Sequence, residues 1–394
     1  MTILSNPLHV KRALRLLWWD GLKKGLGNFG DELSPLIFSS KIRIPIINSF
    51  CNSKIDIDTP FVLGLGSIMH LSNKYTAIMG SGFKSNDKLP AQFPEKFLWS
   101  RGSLSTKILT EYGAERYDSC LIDFDPGLLI SSISTHKGKR TQYFSRKKTL
   151  VIAHYRNYYR LAKSLDMKIF EVVPPWLSLE TLIEKIHCYQ NVVSSSLHGL
   201  ILCHSFGVSA KCCLLDNGEN PFKYHDYFSS VDIDARFLHD QIDSAMQSDT
   251  PTPTLPSESA MVNNFNYAEN FIFNTPDFIE NIDNLNNRNF KILYFSSKIY
   301  KKPIVLSMSL GRLPNLAFSI FEHLPIMYAN AYKCLKPNSI LKISTSLVEE
   351  SNRPKLHQLY SQVKNLKSVR SLIISVPNPF AFLHFALNKL RVFQ

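Results

Sequence analysis

Short apolar runs alternate with amphipathic stretches along the first part of the chain. Residues 60–66 and 75–80 are apolar and end in glycine, a pattern typical of buried parallel strands whose carboxyl ends open into turns. Residues 101–113 carry apolar side chains at helical spacing and end in glycine, a natural stop, so they predict a helix. The apolar residues that follow predict a further strand at 119–124.

A second series of the same kind begins near residue 148. It predicts strands at 149–154, 167–173, 191–196 and 210–215, with helices at 158–165, 177–188 and 197–207 between them. Two consecutive strand–helix series are typical of an α/β protein with two doubly wound, Rossmann-like domains. We therefore expect two such domains that face each other across a cleft.

The 394 residues are more than one core usually holds, and proline marks the clearest boundary. Residues 248–259 read S-D-T-P-T-P-T-L-P-S-E-S, whose prolines and hydroxyl side chains favour an extended linker. We predict an N-terminal Rossmann-like domain at 1–130, a second one at 131–247, and a C-terminal α/β extension of accessory role at 260–394.

The formal net charge of +13 predicts an anionic partner. The excess is uneven, because residues 251–394 carry 16 basic and 8 acidic side chains. No RNA-recognition, zinc-finger or helix-turn-helix pattern accompanies these cations. We therefore predict no nucleic-acid partner and expect contact with an anionic membrane surface.

The seven cysteines are odd in number and lie mostly in apolar runs without a C-x-x-C pair, which is typical of buried, reduced thiols. The N-terminus lacks the pattern of a signal peptide, and the sequence has no apolar run of roughly 18 residues. These features predict a cytoplasmic protein that associates peripherally with the inner face of a membrane.

Glycine and polar residues interrupt the apolar pattern at 27–35, G-N-F-G-D-E-L-S-P. Glycine lets a backbone approach a ligand closely, and Asn28 and Asp31 are candidate groups for binding hydroxyls. The structural alternative is that Asp31 caps a helix.

A serine-rich strand-to-helix junction, S-S-S-L-H-G at 194–199, is the strongest candidate site. In a doubly wound sheet such a junction lies at the carboxyl edge, where free helix N–H groups bind anions. His198 falls in the first turn of the helix, where an imidazole can bind an anion or transfer a proton near neutral pH. The alternative is a structural histidine.

Two more segments place charged residues at predicted sheet edges. Arg101 lies at a loop-to-helix junction and can grip an acidic group with two parallel hydrogen bonds, with an ordinary surface cation as the alternative. Lys223 and Asp226 follow the last strand of the second series, where a solvated loop is the default. Asp125, in D-P-G, is interpreted as a turn residue. The sequence shows no metal-ligand spacing, so we expect a reaction without a metal.

Taken in order, these segments resemble the polysaccharide pyruvyl transferase family. The resemblance spans about residues 15–235 and rests on the motifs G-N-F-G-D-E-L-S-P, V-L-G-L-G-S-I, W-S-R-G-S-L-S-T-K-I-L, I-A-H-Y, V-V-S-S-S-L-H-G and F-K-Y-H-D-Y. It implies a GT-B-like arrangement of the two domains. It also implies transfer of the pyruvyl group of phosphoenolpyruvate to a sugar of a bacterial surface polysaccharide or its lipid-linked precursor, forming a pyruvate ketal. Phosphoenolpyruvate is then a co-substrate, and no cofactor is implied.

The resemblance assigns roles to individual residues. Leu197 and His198 match the family's Leu-His at the phosphoenolpyruvate site, with His198 as a catalytic residue, and Arg101 matches an arginine of the first domain. Asp31 is implied as a second catalytic residue on the acceptor side, and Asn28 lies beside it in the same motif.

The sequence departs from the family at Ser196, where some members have arginine. We expect Lys223, Arg156 or another cation to complete the donor site around Ser196, and Asp226 to contact the acceptor. The departure leaves two alternatives open. One is a GT-B-like glycosyltransferase that uses a nucleotide sugar, and the other is a catalytically inactive glycan-binding relative.

The last part of the chain lies outside this resemblance. Residues 319–344 faintly resemble the later half of a class I methyltransferase, but the glycine-rich cofactor loop is missing upstream. The final stretch, residues 378–394, combines aromatic side chains with Lys389 and Arg391, as an interfacial membrane helix would. A helix packed on the protein's own core is the alternative.

Overall fold

A computed structural model of the chain describes residues 12–19, 28–42, 44, 46–49, 59–134, 146–175, 177, 179–215 and 219–281, and four short later strands at 293–295, 304–306, 341–344 and 372–375.

A parallel sheet forms the N-terminal unit. In chain order its first elements are β1 (Arg12–Leu17), α1 (Phe29–Ile42), β2 (Ile46–Asn48), β3 (Val62–Leu63) and β4 (Ala77–Ile78). The strands run parallel in the order β2-β1-β3-β4, and α1 crosses from β1 to β2. All residues of β2, β3 and β4 are buried, as the apolar runs predict for strands covered on both faces.

The rest of this unit carries a helix and several turns. Its elements are β5 (Lys96–Phe97), α2 (Ser103–Glu111), β6 (Glu115–Arg116) and α3 (Ile130–Ile133), the last preceded by a 3-10 turn at Pro126–Leu129. The helix predicted at 101–113 is confirmed as α2. It ends before Gly113, whose φ of +84° is the left-handed conformation that glycine adopts without steric cost.

The second unit is a five-stranded parallel sheet. Its elements are β7 (Arg146–Ile152), α4 (Tyr158–Ser164), β8 (Phe170–Val173), α5 (Leu179–Cys188), β9 (Tyr189–Ser194), α6 (Leu197–Ser205), β10 (Lys211–Cys213), α7 (Phe222–Ser230), β11 (Leu238–His239) and α8 (Ile242–Gln247). The strand order is β11-β10-β9-β7-β8 with every pair parallel. The predicted strands and helices of the second series are confirmed, with bounds that differ by a few residues. The chain is therefore a mixed α/β protein with parallel sheets.

The strand predicted at 119–124 is wrong. These residues have no strand partner, although Leu121 and Phe124 are buried as the apolar pattern requires. A side-chain amide takes the place of a neighbouring strand: Asn264 accepts from the Ile122 N–H at 3.3 Å and donates to the Ile122 carbonyl at 2.8 Å. The apolar pattern thus predicted that Leu121 and Phe124 are buried, but it did not predict which group forms hydrogen bonds with the backbone of Ile122.

The segment around Lys223 and Asp226 is also not the solvated loop expected by default. Residues 222–230 form helix α7, in which both side chains are buried, with Lys223 7% exposed and Asp226 fully buried. Ion pairs compensate the burial of each charge, and these pairs belong to the candidate site.

Residues after 258 return to the first sheet. Helix α9 (Glu258–Asn274) packs on α1, where the ring of Phe265 meets Phe38 edge-on at a centroid distance of 5.3 Å. Strand β12 (Ile279–Asn281) then pairs antiparallel with the first half of β1. The predicted boundary at residue 260 falls inside α9, whose buried face joins the N-terminal core.

Four later strands extend the first sheet beyond β2. They are β13 (Leu293–Phe295), β14 (Ile304–Leu306), β15 (Leu341–Ser344) and β16 (Leu372–Ser375). β13 pairs antiparallel with β2, and the others follow in chain order. The predicted interfacial helix at 378–394 lies outside the described residues, as does most of the methyltransferase-like segment. None of the described helices has the length and apolar character needed to cross a membrane.

Candidate functional site

The candidate site lies where the carboxyl end of the second sheet meets the N-terminal unit. In the order β11-β10-β9-β7-β8, the chain adds β8 on one side of β7 and β9 to β11 on the other, so the strand order reverses between β7 and β9, which is the topological switch point where doubly wound sheets bind ligands. His154 follows β7 and His198 follows β9, so both lie at this point. The N-terminal unit closes over it, because the Phe29 N–H at the start of α1 donates to the Pro175 carbonyl at 2.9 Å.

The three serines at 194–196 form hydrogen bonds within the strand-to-helix junction itself. The Ser194 hydroxyl donates to the Ser196 carbonyl at 2.7 Å, and the Ser195 hydroxyl accepts from the His154 N–H at 2.9 Å. Ser196 is the N-cap of α6, with its hydroxyl accepting from the Gly199 N–H at 3.4 Å. Leu197 is buried in the core. Ser196 and Leu197 thus shape the turn that presents His198.

His198 lies in the first turn of α6 against the glycine-rich motif of the other unit. A methyl group at Gly30 would approach Nδ1 of His198 to less than 3.0 Å, so this position accepts only glycine without displacement of the ring. Gly30 therefore allows a close approach of the backbone, as predicted for this motif, but the group that it approaches is the imidazole of His198. The Nε2 atom of the half-buried His198 is shielded and has no hydrogen-bond partner.

Charge and burial keep His198 neutral at physiological pH. Burial, together with the nearby charges of Lys223 and Arg101, lowers the pKa of His198 to about 3. Burial likewise lowers the pKa of His154 to about 3, with Lys223 as the largest charge acting on it. Two neutral imidazoles thus line the switch point, each able to take a proton if an anion offsets the cations.

Arg101 and Asp226 form a buried ion pair between the two units. The Arg101 guanidinium donates from Nε to Asp226 at 2.9 Å, from Nη1 to Ser67 at 2.7 Å and from Nη2 to the Phe83 carbonyl at 2.8 Å. Asp226 also accepts from the backbone N–H and the hydroxyl of Ser105, both at 2.7 Å, and so caps the first turn of α2. Both side chains are fully buried.

The predicted contacts of Arg101 with the donor and of Asp226 with the acceptor would require this pair to open. As it stands, the pair joins α2 of the first unit to α7 of the second, together with a 2.9 Å hydrogen bond from the Ser103 N–H to the Ser229 hydroxyl. Asp226 and Arg101 are therefore placed together, as the sequence predicts for one site, but as partners of each other.

A second ion cluster lies beside the histidines and is more open. Glu219 is buried, and its Oε2 accepts from Lys223 Nζ at 2.7 Å. Its Oε1 lies 3.2 Å from Arg156 Nη1 and 3.4 Å from Lys84 Nζ. Lys84 comes from the N-terminal unit, and the other three residues come from the second unit. Arg156 and Lys223, the two cations that the sequence predicts for the donor site, thus share one carboxylate with Lys84.

Asn28 and Asp31 lie at the start of α1. The Asn28 side chain accepts from the Gly30 N–H at 3.1 Å, and its carbonyl accepts from the Asp31 N–H at 3.0 Å, so Asn28 is the capping residue of this turn. Asp31 is half-buried in the first helical turn, next to the glycine that contacts His198. Both residues border the cleft on the N-terminal side, where the sequence places the acceptor.

Asp125 adds a buried carboxyl close to the Arg101 pair. Its Oδ1 accepts from the Gly127 N–H at 2.8 Å, which confirms its interpretation as a turn residue. Its Oδ2 is buried without a hydrogen-bond partner. Burial raises the pKa of Asp125 to about 6, against the opposing charge of Arg101.

Three residues of the switch point lie outside those that the sequence singles out: Lys84, His154 and Glu219. His154 shares with His198 a sequence signal, its place directly after a buried strand. Lys84 follows β4 by six residues, and Glu219 carries no local signal. Within the described part of the chain, no group of three or more His, Cys, Asp or Glu residues is arranged to hold a metal ion.

The chain matches no protein-family model and no solved structure. It is similar to "Uncharacterized protein L143" of Acanthamoeba polyphaga mimivirus, with 24% identity over 214 residues. That alignment covers 52% of this chain and 72% of the viral protein. Because the name of this relative assigns no activity, function has to be inferred from the geometry of the cleft.

Proposed function

We propose that the protein transfers the pyruvyl group of phosphoenolpyruvate to a sugar of a surface polysaccharide or its lipid-linked precursor, with the two units in a GT-B-like arrangement. The observation that carries this proposal is the convergence of His198 with Lys84, Arg156 and Lys223 at the switch point. Phosphoenolpyruvate carries a carboxylate and a phosphate on the same carbon, and cations and helix N-termini are the groups that bind them.

The proposed reaction conserves atoms and charge. Two sugar hydroxyls form C–O bonds to C2 of the pyruvyl group, and the C–O bond to phosphate breaks. One hydroxyl proton goes to the methylene carbon, which becomes a methyl group, and the other leaves with phosphate. A group that accepts and returns protons near neutral pH suits both transfers.

His198 is the residue proposed for this proton transfer. Burial and the cations around His198 keep it neutral before a ligand binds, so it is ready to accept a proton from a sugar hydroxyl. A bound phosphate offsets those cations and raises the pKa of His198 toward its ordinary value, which lets it hand the proton on. Asp31 is proposed to hold or activate the acceptor hydroxyl from the α1 side, with Asn28 supporting the turn.

The cation set also suits a diphosphate, which keeps a nucleotide-sugar glycosyltransferase as the alternative. The exposed ring of Tyr155 favours it, because this ring lies under the Arg156 guanidinium and offers a surface for a nucleobase. A catalytically inactive glycan-binding relative would retain the fold but release no phosphate.

Phosphate release tests the proposal. The full chain is incubated with phosphoenolpyruvate and p-nitrophenyl glycosides of galactose, glucose and mannose, and inorganic phosphate and the mass of the glycoside are measured. We expect phosphate release with one pyruvate ketal on a glycoside, and loss of both in His198→Ala. His239→Ala, in β11 at the edge of the same sheet, is the matched control and should retain activity. Equal activity of His198→Ala and His239→Ala would contradict the role of His198.

A further inference from the structure

Glu219 stands at the centre of the open ion cluster, and its two oxygens have different partners. Oε2 faces Lys223, four residues away, at 2.7 Å. The side chains of this inner pair are 3% and 8% exposed. Oε1 faces Lys84 and Arg156 at 3.4 and 3.2 Å. The inner contact is therefore a tight, buried hydrogen-bonded pair, and the outer contacts are longer.

The outer cations are also the accessible ones. The side chain of Lys84 is 30% exposed and that of Arg156 is 39% exposed. They approach Oε1 from different units, because Lys84 follows β4 in the first sheet and Arg156 follows β7 in the second. An anion entering from solvent meets these two cations first, and it can take both without breaking the Lys223–Glu219 pair.

The neighbouring groups favour an anion at the same place. His154 and His198 are neutral imidazoles close enough to the cluster for the charge of Lys223 to act on both, and the shielded Nε2 of His198 has no hydrogen-bond partner among the described residues. Arg101 adds positive potential, although its own hydrogen bonds are directed to Asp226, Ser67 and the Phe83 carbonyl. The described groups around the outer cations therefore combine positive charge with groups that can donate a hydrogen bond.

We infer that Glu219 is an internal counter-anion, which holds Lys84 and Arg156 in place until the phosphate group of the ligand displaces it from them. This inference rests on the proposed function and deepens it, since it assigns the phosphate of the donor to a site shared by the two units. Glu219 then lowers phosphate affinity, because each binding event has to replace its contacts with the outer cations. Before phosphate binds, the carboxylate of Glu219 stabilises the close approach of the three cations to one another.

The test uses inorganic phosphate as the probe, titrated calorimetrically into the full chain. Glu219→Gln keeps the shape of the side chain and removes the competing charge, so we expect phosphate to bind about tenfold more tightly. Lys84→Ala and Arg156→Ala should each weaken binding. Glu219→Asp retains the charge and should bind no more tightly than the wild type, which separates the loss of charge from a general loosening.

Unchanged or weaker phosphate binding by Glu219→Gln would overturn the inference. Melting followed by circular dichroism establishes that each variant is folded at the titration temperature. If Glu219→Gln is unstable, Lys84→Ala and Arg156→Ala still test the inference, because unchanged phosphate binding by both would overturn it. Phosphate binding and pyruvyl transfer are separate readouts. Tighter binding by Glu219→Gln without phosphate release from phosphoenolpyruvate would support the counter-anion and reject the proposed reaction.

Discussion

Two ion clusters among the described residues join the units of this protein, and they differ in how deeply their charges are buried. In the closed cluster, Arg101 donates from all three of its side-chain nitrogens, and both oxygens of Asp226 accept. In the open cluster, the described cations Lys84, Arg156 and Lys223 share the single carboxylate of Glu219. The closed cluster is fully buried, and the open one reaches solvent through two of its cations.

This difference separates a structural role from a binding role. A buried pair with complete hydrogen bonding fixes two elements and has little capacity for a ligand. A cluster in which several cations surround one carboxylate, some of them accessible, can accept an anion. We therefore expect the closed cluster to control stability and the open cluster to control ligand affinity.

The largest effect is expected from breaking the closed cluster. Asp226→Asn removes the charge that compensates the buried Arg101 and weakens the cap on α2. The free energy of unfolding should fall by about 3–5 kcal/mol, measured by urea denaturation, because an uncompensated charge stays buried. Lys107→Ala is the control, since its pair with Glu111 is exposed and should contribute no more than about 0.5 kcal/mol. Similar losses in both variants would contradict a structural role for the closed cluster.

The next effect is a pH dependence from Asp125, beside the closed cluster. Its pKa rises from 3.8 to about 6 on folding, mainly because of burial. The stability that it contributes is therefore fully present below about pH 4 and is lost as the pH rises through about 6. Asp125→Asn is neutral throughout and should gain about 2–3 kcal/mol on the wild type between about pH 4 and pH 7.

Urea denaturation of both proteins across this range measures the difference. The buried histidines, whose pKa values are lowered, act in the opposite sense, since their contribution is lost as the pH falls below 6.5. They are common to both proteins and cancel in the comparison. A stability difference that does not change with pH would contradict the raised pKa of Asp125.

A third effect is expected where the glycine motif meets His198. Gly30→Ala places a methyl group against the imidazole and should move it away from its position at the switch point. We expect about a 100-fold loss of kcat/KM for phosphate release and a loss of stability of about 1–3 kcal/mol. Gly113→Ala is the contrast, because the space around it is open although its φ is positive. It should cost about 1 kcal/mol of stability and leave activity unchanged. Full activity of Gly30→Ala would contradict the proposed position of His198.

The smallest effect is expected from removing Arg156, an exposed cation of the open cluster. Arg156→Ala should weaken phosphoenolpyruvate binding about tenfold, which corresponds to about 1.4 kcal/mol, with little change in stability because the side chain is exposed. Arg236→Ala is a matched control, since Arg236 also lies over a neighbouring ring and is 75% exposed. Isothermal titration calorimetry distinguishes them. Equal affinities would remove Arg156 from the donor site.

The fold of the second unit was largely predictable from sequence, because its strands are apolar runs separated by amphipathic helices of ordinary length. The segment at 119–124 shows the limit of such reasoning. Leu121 and Phe124 are buried as the pattern requires, but the backbone of Ile122 pairs with the side chain of Asn264, more than 100 residues away. Local patterns do not specify a partner at that separation.

The same limit applies to the site. The position of His198 followed from the place of a helix start in a doubly wound sheet, which is a local signal. The ion pair between Arg101 and Asp226 was not predictable from the sequence, because these two residues come together only where the two units contact each other. Glu219 has no local sequence signal, and only the three cations that surround it in the structure mark it as a residue of the site.

Calorimetric titration of the wild-type chain with phosphoenolpyruvate and with UDP-glucose tests the central proposal most directly. We predict saturable binding of phosphoenolpyruvate, weakened when Lys84 and Arg156 are both replaced by alanine, and no binding of UDP-glucose. Binding of UDP-glucose without binding of phosphoenolpyruvate would contradict the proposal and favour a glycosyltransferase.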